Sequence, residues 1–369
     1  MNNKTPKKIA IITMHRTDNY GAVLQAFALK KTCDNYGSVR ILDYKNEHVE
    51  KNLMVLIFPK SFRALLRFAK DLLRLKNRKV VTNKFNQFIC DNLSLCHFNE
   101  KHFNESSFDI YVSGSDQIWN PKCVNAKGVL DQTYFLSFAK HAKKMSYASS
   151  MGSYTYSRVQ EALVKNLLSN FNNISVRESD AAERLSPLTS KEIKVVLDPT
   201  LLLESKDYLA LCPNPDVTYQ KPFILIYSIQ KTKHLHTLIA SAKSIFPRHN
   251  FLVLEQDPWN TFRSCETIRT AGPIDFIELC RSSEGILTDS FHGVCFSMVF
   301  KKPFVVANPI HHPNRIEDLL NRLGEEARLS RPGDDVKEQV GLLMSSEPGG
   351  DRLAALRQQS FKFLEDGLI

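Results

Sequence analysis

The segment TDSFHG, residues 288–293, sets Asp289, Ser290 and His292 side by side between a strand-like run, EGILT, and an apolar helix-like run, VCFSMVF. A helix entrance attracts anions, because its first amides point outward at the positive end of the dipole. An imidazole placed there exchanges protons near neutral pH; the dipole lowers its pKa and a bound phosphate dianion raises it again. The residue types therefore suit acid–base chemistry on an anionic substrate. Asp and Ser are also ordinary helix caps and Gly an ordinary turn residue, which is the plainer reading of the same letters.

Four further polar clusters close strand-like runs: TMHRTDNYG (13–21), SGSDQIWNP (113–121), SSMGS (149–153) and RESD (177–180). Short apolar runs such as KIAIIT, VRILDY, FDIYVSG, FILIYSI and PFVVAN alternate with segments of helical period, among them AVLQAFALKKTC, SRVQEALVKNLLSNF and IEDLLNRL. That alternation predicts parallel sheets covered by helices, an α/β class with two doubly wound, Rossmann-like domains facing a central cleft. A proline-bearing stretch, LCPNPDVTYQKP, separates the halves. The expected division is 1–205, with a basic helical segment 51–84, then 206–345 with the TDSFHG motif, then a tail helix over 346–369.

The chain has 369 residues, 43% hydrophobic and 24% charged, enough to bury two cores. Its net charge of +10 is concentrated: residues 51–84 hold ten basic side chains against one acidic, Asp71. The remainder is nearly neutral, so nucleic acid is not an expected partner. Within that segment Phe62, Leu65, Leu66, Ala69, Leu72 and Leu73 share one helical face, with Arg63, Arg67, Lys70 and Arg74 beside it. Such a stripe serves either as a solvated edge of a packed helix or as a contact for an anionic membrane surface. None of the eight cysteines forms a C-x-x-C pair, and they are expected to be reduced, mostly buried thiols. No metal site is expected; His311 and His312 lack a carboxylate at ligand spacing. The start, MNNKTPKKIAIIT, runs from a short basic tail straight into a strand, so the expected location is cytoplasmic, with peripheral contact at the inner membrane face left open.

In order and spacing, HRTDNYGAVLQAFAL, VSGSDQIWNP, SYASSMG, ISVRESD, VLDPTLLL and LTDSFHGVCFSMVFKKPF resemble the polysaccharide pyruvyl transferase family. The resemblance implies a fold similar to two-domain (GT-B-like) glycosyltransferases, in exopolysaccharide or capsule biosynthesis. It implies transfer of the enolpyruvyl unit of phosphoenolpyruvate to sugar hydroxyls of a glycan or lipid-linked precursor, closing a ketal and releasing phosphate, with no cofactor. On that basis His292 is the candidate acid–base group and Arg177 a catalytic clamp on carboxylate or phosphate. Ser290, His292, Gly293, Arg177, Arg315, Asn19 and Gly21 are donor-binding candidates. Asp116, Gln117, Asp18 and His15 are acceptor-binding candidates, and Asp289 a candidate to orient the His292 ring. Relatives carry an arginine two positions before this histidine; here that position is Ser290. Residue by residue the simpler alternatives stand: an Asx turn at Asn19, a salt bridge of Arg177 with Glu178 or Asp180, a core role for Trp119. The other chemical class compatible with the same architecture is a nucleotide-sugar glycosyltransferase, and a non-enzymatic sugar-binding or membrane-surface module is the third.

Overall fold

Ile9, Ala10, Ile11 and Ile12 are all fully buried, so the first strand has no polar face and needs cover on both sides, as a central parallel strand does. The computed structural model describes residues 6–50, 62–212, 222–255, 262, 264–311, 313–345 and 347–369. Its strands are β1 (Lys7–Ile12), β2 (Gly37–Asp43), β3 (Leu95–His97), β4 (Ile110–Ser113), β5 (Lys143–Ser146), β6 (Ile174–Val176), β7 (Ile193–Val195), β8 (Phe223–Tyr227), β9 (Asn250–Leu254), β10 (Glu266–Ile268), β11 (Gly285–Thr288), β12 (Phe304–Ala307) and β13 (Leu329–Ser330). The helices are α1 (Tyr20–Cys33), α2 (Glu47–Glu50), α3 (Phe62–Asn92), α4 (Pro121–Val124), α5 (Arg158–Ser169), α6 (Ser179–Leu185), α7 (Ser205–Leu209), α8 (Lys233–Ile245), α9 (Pro273–Ser282), α10 (Phe291–Val299), α11 (Asn314–Leu323), α12 (Val336–Ser345) and α13 (Asp351–Leu368).

Every strand pairing is parallel, and the two main sheets run β3-β2-β1-β4-β5 and β10-β9-β8-β11-β12-β13. Both are doubly wound, so the fold class read from the sequence holds. The strand order reverses between β1 and β4 in the first sheet, where Ile9 faces Ile110, and between β8 and β11 in the second, where Gly285 faces Ile224. Chain leaves such a reversal in opposite directions, and a crevice opens at the carboxyl ends of the two strands. β6 and β7 form a separate pair. Each sheet is covered according to local pattern: α1 is buried almost all round, whereas α11 buries Ile316, Leu319, Leu320 and Leu323 at helical spacing. Trp119 lies fully buried in the first core, stacked on Phe135 at 4.9 Å, as its core reading expects.

Chain contacts divide the protein differently from the expected boundaries. One unit comprises Met1–Leu53, Gln87–Leu202 and Ala354–Ile369, the other Met54–Asn86 and Leu203–Leu353. The basic segment therefore goes mainly with the second unit, where Lys84 pairs with Asp275 at 2.8 Å. The tail helix belongs mainly to the first, where Ser360 Oγ accepts from the Leu197 amide at 3.0 Å. Lys51 and Lys60 lie outside the described residues, as do the side chains of Phe62, Arg63, Leu65, Leu66, Arg67, Ala69, Lys70, Leu72 and Leu73. Five cysteines are buried, Cys96 and Cys123 are half-buried and Cys90 is exposed; burial raises the Cys33 and Cys280 thiols well above their ordinary range and keeps them inert.

Candidate active site

In the second unit the reversal point is built around Asp289. Its carboxylate accepts from Ser228 Oγ (2.7 Å) and from three successive amides, Ile229 (2.6 Å), Gln230 (3.1 Å) and Lys231 (3.1 Å). Lys231 adopts a left-handed φ of 53°, which turns these amides inward. Asp289 thus ties the loop after β8 to the end of β11, a correction to the expectation that it orients the His292 ring. The Gln230 amide continues the tie by pairing both ways with the His311 backbone at 2.9 Å, and Lys231 pairs with buried Glu255. His312 lies outside the described residues.

α10 begins at this point. Thr288 Oγ1 donates to the Tyr227 carbonyl (2.6 Å) and accepts from the Ser290 amide (3.0 Å), which fixes the last strand residue against the helix start. A Cβ on Gly293 would lie 2.1 Å from that hydroxyl, so only glycine lets the first turn sit so close to the sheet. Ser290 occupies the cap position with no capping bond; it is 1% exposed, and its Oγ has no hydrogen-bond partner among the described residues. Leaving a hydroxyl buried and unbonded costs about 1–3 kcal/mol, which a ligand accepting from or donating to it would recover. His292 is buried within the first turn, its ring edge-on to Phe291 at 5.4 Å, and Arg315 from the start of α11 lies over the same Phe291 ring at 6.0 Å. Ser290, His292, Gly293 and Arg315 are therefore brought together.

In the first unit the chain leaving β1 buries His15 to 1% exposure; Nδ1 lies 3.0 Å from the Thr13 carbonyl and Nε2 3.3 Å from Asp43. Arg16 donates to both Asp43 oxygens, at 2.6 and 2.7 Å. His15 thus braces Asp43, a residue at the end of β2 that the motif reading passed over. Asn19 caps α1 through Oδ1 and the Ala22 amide (3.2 Å), its simpler reading, while Gly21 lies buried in the first turn of that helix and Asp18 is half-buried. The hydrogen bond from His15, then those from Arg16, hold the Asp43 carboxyl well below the usual range although desolvation pulls it up. A depressed pKa stabilises the fold above the unfolded value, about pH 4, and the contribution fades as pH falls through the folded one. Asp43→Asn is expected to cost on the order of 1 kcal/mol at neutral pH, after discounting for solvent screening. The deficit should shrink from about pH 4 downward in urea titrations; a pH-independent deficit would mean that packing, not charge, is what was lost.

On the other side of the same reversal, Arg177 at the end of β6 is 2% exposed and faces three carboxylates: Glu178 (Nε, 2.9 Å), Asp198 (Nη1, 3.0 Å) and Asp116 (Nη2, 3.9 Å). Burial lowers its pKa, and the charges of Glu178, Asp198 and Asp116 more than reverse this. Asp180, the other partner considered, pairs instead with Arg184 at 2.8 Å. Asp198 was not singled out in VLDPTLLL; its only outward sign is a strand-end aspartate before proline, and it caps Thr200 as well. Asp116 and Gln117 follow β4, half-buried, with Asp116 in the left-handed region at φ 73°. The first-unit candidates Arg177 and Asp116 are thus in one cluster, with Gln117 next to it, while His15 belongs to the Asp43 group. Among the described residues no group of three His, Cys, Asp or Glu side chains could hold a metal ion.

A family model described as polysaccharide pyruvyl transferase matches residues 19–311. No curated protein matches the chain. Solved structures similar in fold include UDP-GlcNAc 2-epimerase from Neisseria meningitidis bound to UDP-GlcNAc, with 11% identity, a TM-score of 0.49 and 97% of this chain covering 94% of that one. The S. aureus MnaA–UDP co-structure has 15% identity, a TM-score of 0.48 and 98% coverage of both chains. For an O-GlcNAc transferase mutant of Thermobaculum terrenum the figures are 11% and 0.43, with 99% of this chain covered but 64% of that one.

Proposed function

The chain belongs to the polysaccharide pyruvyl transferase family, and from that membership we propose that it transfers the enolpyruvyl unit of phosphoenolpyruvate to sugar hydroxyls of a glycan or lipid-linked glycan precursor, forming a pyruvate ketal. The observation that carries the donor assignment is the start of α10, where a buried, unbonded Ser290 hydroxyl adjoins a helix entrance with His292 and Arg315. A phosphate or carboxylate gains there from the first-turn amides, from Ser290 Oγ and from the Arg315 guanidinium, which replaces the cation absent at position 290. His292 delivers a proton to the methylene carbon, which becomes the methyl group as positive charge develops on C2. One sugar oxygen bonds to C2, the C2–O bond to phosphate breaks with its electron pair leaving on phosphate, and a second hydroxyl closes the ketal. Of the two hydroxyl protons, one replaces that spent on the methyl group and the other leaves with phosphate.

The test is to incubate the purified protein with phosphoenolpyruvate and a panel of nucleotide-linked and lipid-linked sugars, then to read products by mass spectrometry. The expected result is phosphate release matched by one pyruvyl ketal on the acceptor. Release of nucleotide diphosphate from a nucleotide sugar, with phosphoenolpyruvate untouched, would replace this reading with glycosyl transfer.

Among the described residues no helix is long and apolar enough to cross a membrane, and we extend the proposal to peripheral contact with an anionic surface through Arg63, Arg67, Lys70 and Arg74. Each basic residue near such a surface contributes about 1 kcal/mol, screened by salt. Co-sedimentation with anionic vesicles is expected at low salt and is expected to vanish when all four are changed to Gln. No binding at low salt, or binding unchanged in that variant, leaves the stripe as solvated surface.

A further inference from the structure

We infer that Asp116 and Gln117 read a pair of neighbouring sugar hydroxyls. Asp116 lies in the turn that follows β4 and holds a left-handed φ of 73°, a conformation that costs a non-glycine residue on the order of 1 kcal/mol. Its Oδ1 accepts from the Gln117 amide at 2.8 Å and lies 3.9 Å from the Arg177 guanidinium. Its Oδ2 makes no hydrogen bond among the described residues, and the side chain is 15% exposed. One oxygen is therefore anchored and the other presented.

Gln117 is oriented just as firmly. Asn120 Oδ1 accepts from the Lys122 amide at 3.1 Å, so its Nδ2 must be the atom that donates to Gln117 Oε1 at 2.9 Å; the Cys123 thiol, at 3.6 Å, donates to the same oxygen. Gln117 Nε2 is then turned away from this contact as a donor, with no protein acceptor among the described residues. Gly152 closes behind it: φ is 55°, and a Cβ there would lie 2.3 Å from Gln117 Oε1. An anionic acceptor thus stands beside a neutral donor on consecutive residues, the complement of two adjacent hydroxyls, one donating and one accepting. A further acceptor waits behind them. Glu178 is 1% exposed, and its Oε2 has no partner among the described residues, so the cluster lacks one donor that a hydroxyl or a bound water would bring.

Arg177, held by Glu178 and Asp198, keeps Asp116 in place as a positioning residue.

The test uses the full chain and needs no donor in its first arm: saturation-transfer NMR with methyl gluco-, galacto- and mannopyranosides, on wild type, Asp116→Asn and Gln117→Leu. Asn tolerates the left-handed backbone, so Asp116→Asn should keep its thermal midpoint. At least one pyranoside is expected to bind wild type, and each variant should weaken it about fivefold or more, the effect of one lost hydrogen bond. In the second arm, with phosphoenolpyruvate as donor, each variant should raise the acceptor KM about fivefold or more at unchanged phosphoenolpyruvate saturation. No pyranoside binding by wild type, or binding by both variants as tight as by wild type, overturns the inference. Wild type that binds sugar yet never consumes phosphoenolpyruvate sinks the transfer reading and leaves the hydroxyl reader standing.

Discussion

His292→Ala and His292→Asn are expected to lower turnover by about 10²–10⁴ while the protein stays folded, because a positioned acid–base group contributes on that order. The fold should tolerate both changes. His292 lies at the second position of α10, where the helix is held by Thr288, by the buried side chains of Val294, Cys295 and Phe296, and by the Val294 amide bonding to the Ser290 carbonyl at 3.1 Å. Phosphate release in stopped time courses reads the first effect, and circular dichroism melting reads the second. Asn keeps a hydrogen-bonding side chain but cannot shuttle a proton near neutral pH, so equal loss in both variants assigns the effect to proton transfer. If Asn retained most of the turnover that Ala lost, the ring would be binding donor, not protonating it. Near-normal turnover in both would remove His292 from the mechanism.

What made the second unit's site legible was local: TDSFHG places a strand end, a cap position, an imidazole and the glycine needed for close packing within six consecutive letters. What stayed hidden was every role fixed by a distant partner. Asp289 looked like a neighbour of His292, yet its bonds go to residues 58 to 61 positions earlier, in a loop with no motif of its own. Asp43 and Asp198 were passed over for the same reason, since each acquires meaning only from a strand lying next to its own in the sheet or from a buried cation. The long parallel strands announced themselves as continuous apolar runs, whereas β3, β10 and β13, with two or three residues each, are too short to show a period. The unit boundary misled because α3 and α13 each run from one unit to the other, and no composition change marks the crossing.

Arg177→Leu is expected to destabilise the protein by about 3–5 kcal/mol, the cost of stripping one partner from a buried ion pair. Glu178 and Asp198 are each 1% exposed, and both would be left as uncompensated carboxylates. Their other bonds do not rescue them: Ser150 Oγ reaches Glu178 at 2.9 Å, and Thr200 and Ser115 reach Asp198 at 2.7 to 3.2 Å, but these are neutral donors. Chemical denaturation of the single variant measures the loss. Adding Glu178→Gln and Asp198→Asn should recover most of it, because no charge then remains buried without a partner, and this recovery is the outcome that a simple packing defect would not produce. Arg177→Lys separates the remaining roles: an ammonium keeps the charge but cannot face three carboxylates at once as the planar guanidinium does. Should it shift phosphoenolpyruvate saturation while leaving stability intact, Arg177 clamps the donor directly. The geometry favours the opposite pattern, lower stability with unchanged donor saturation and slower turnover, because a cation already facing three carboxylates has little attraction left for a fourth anion, and what it holds in place is Asp116.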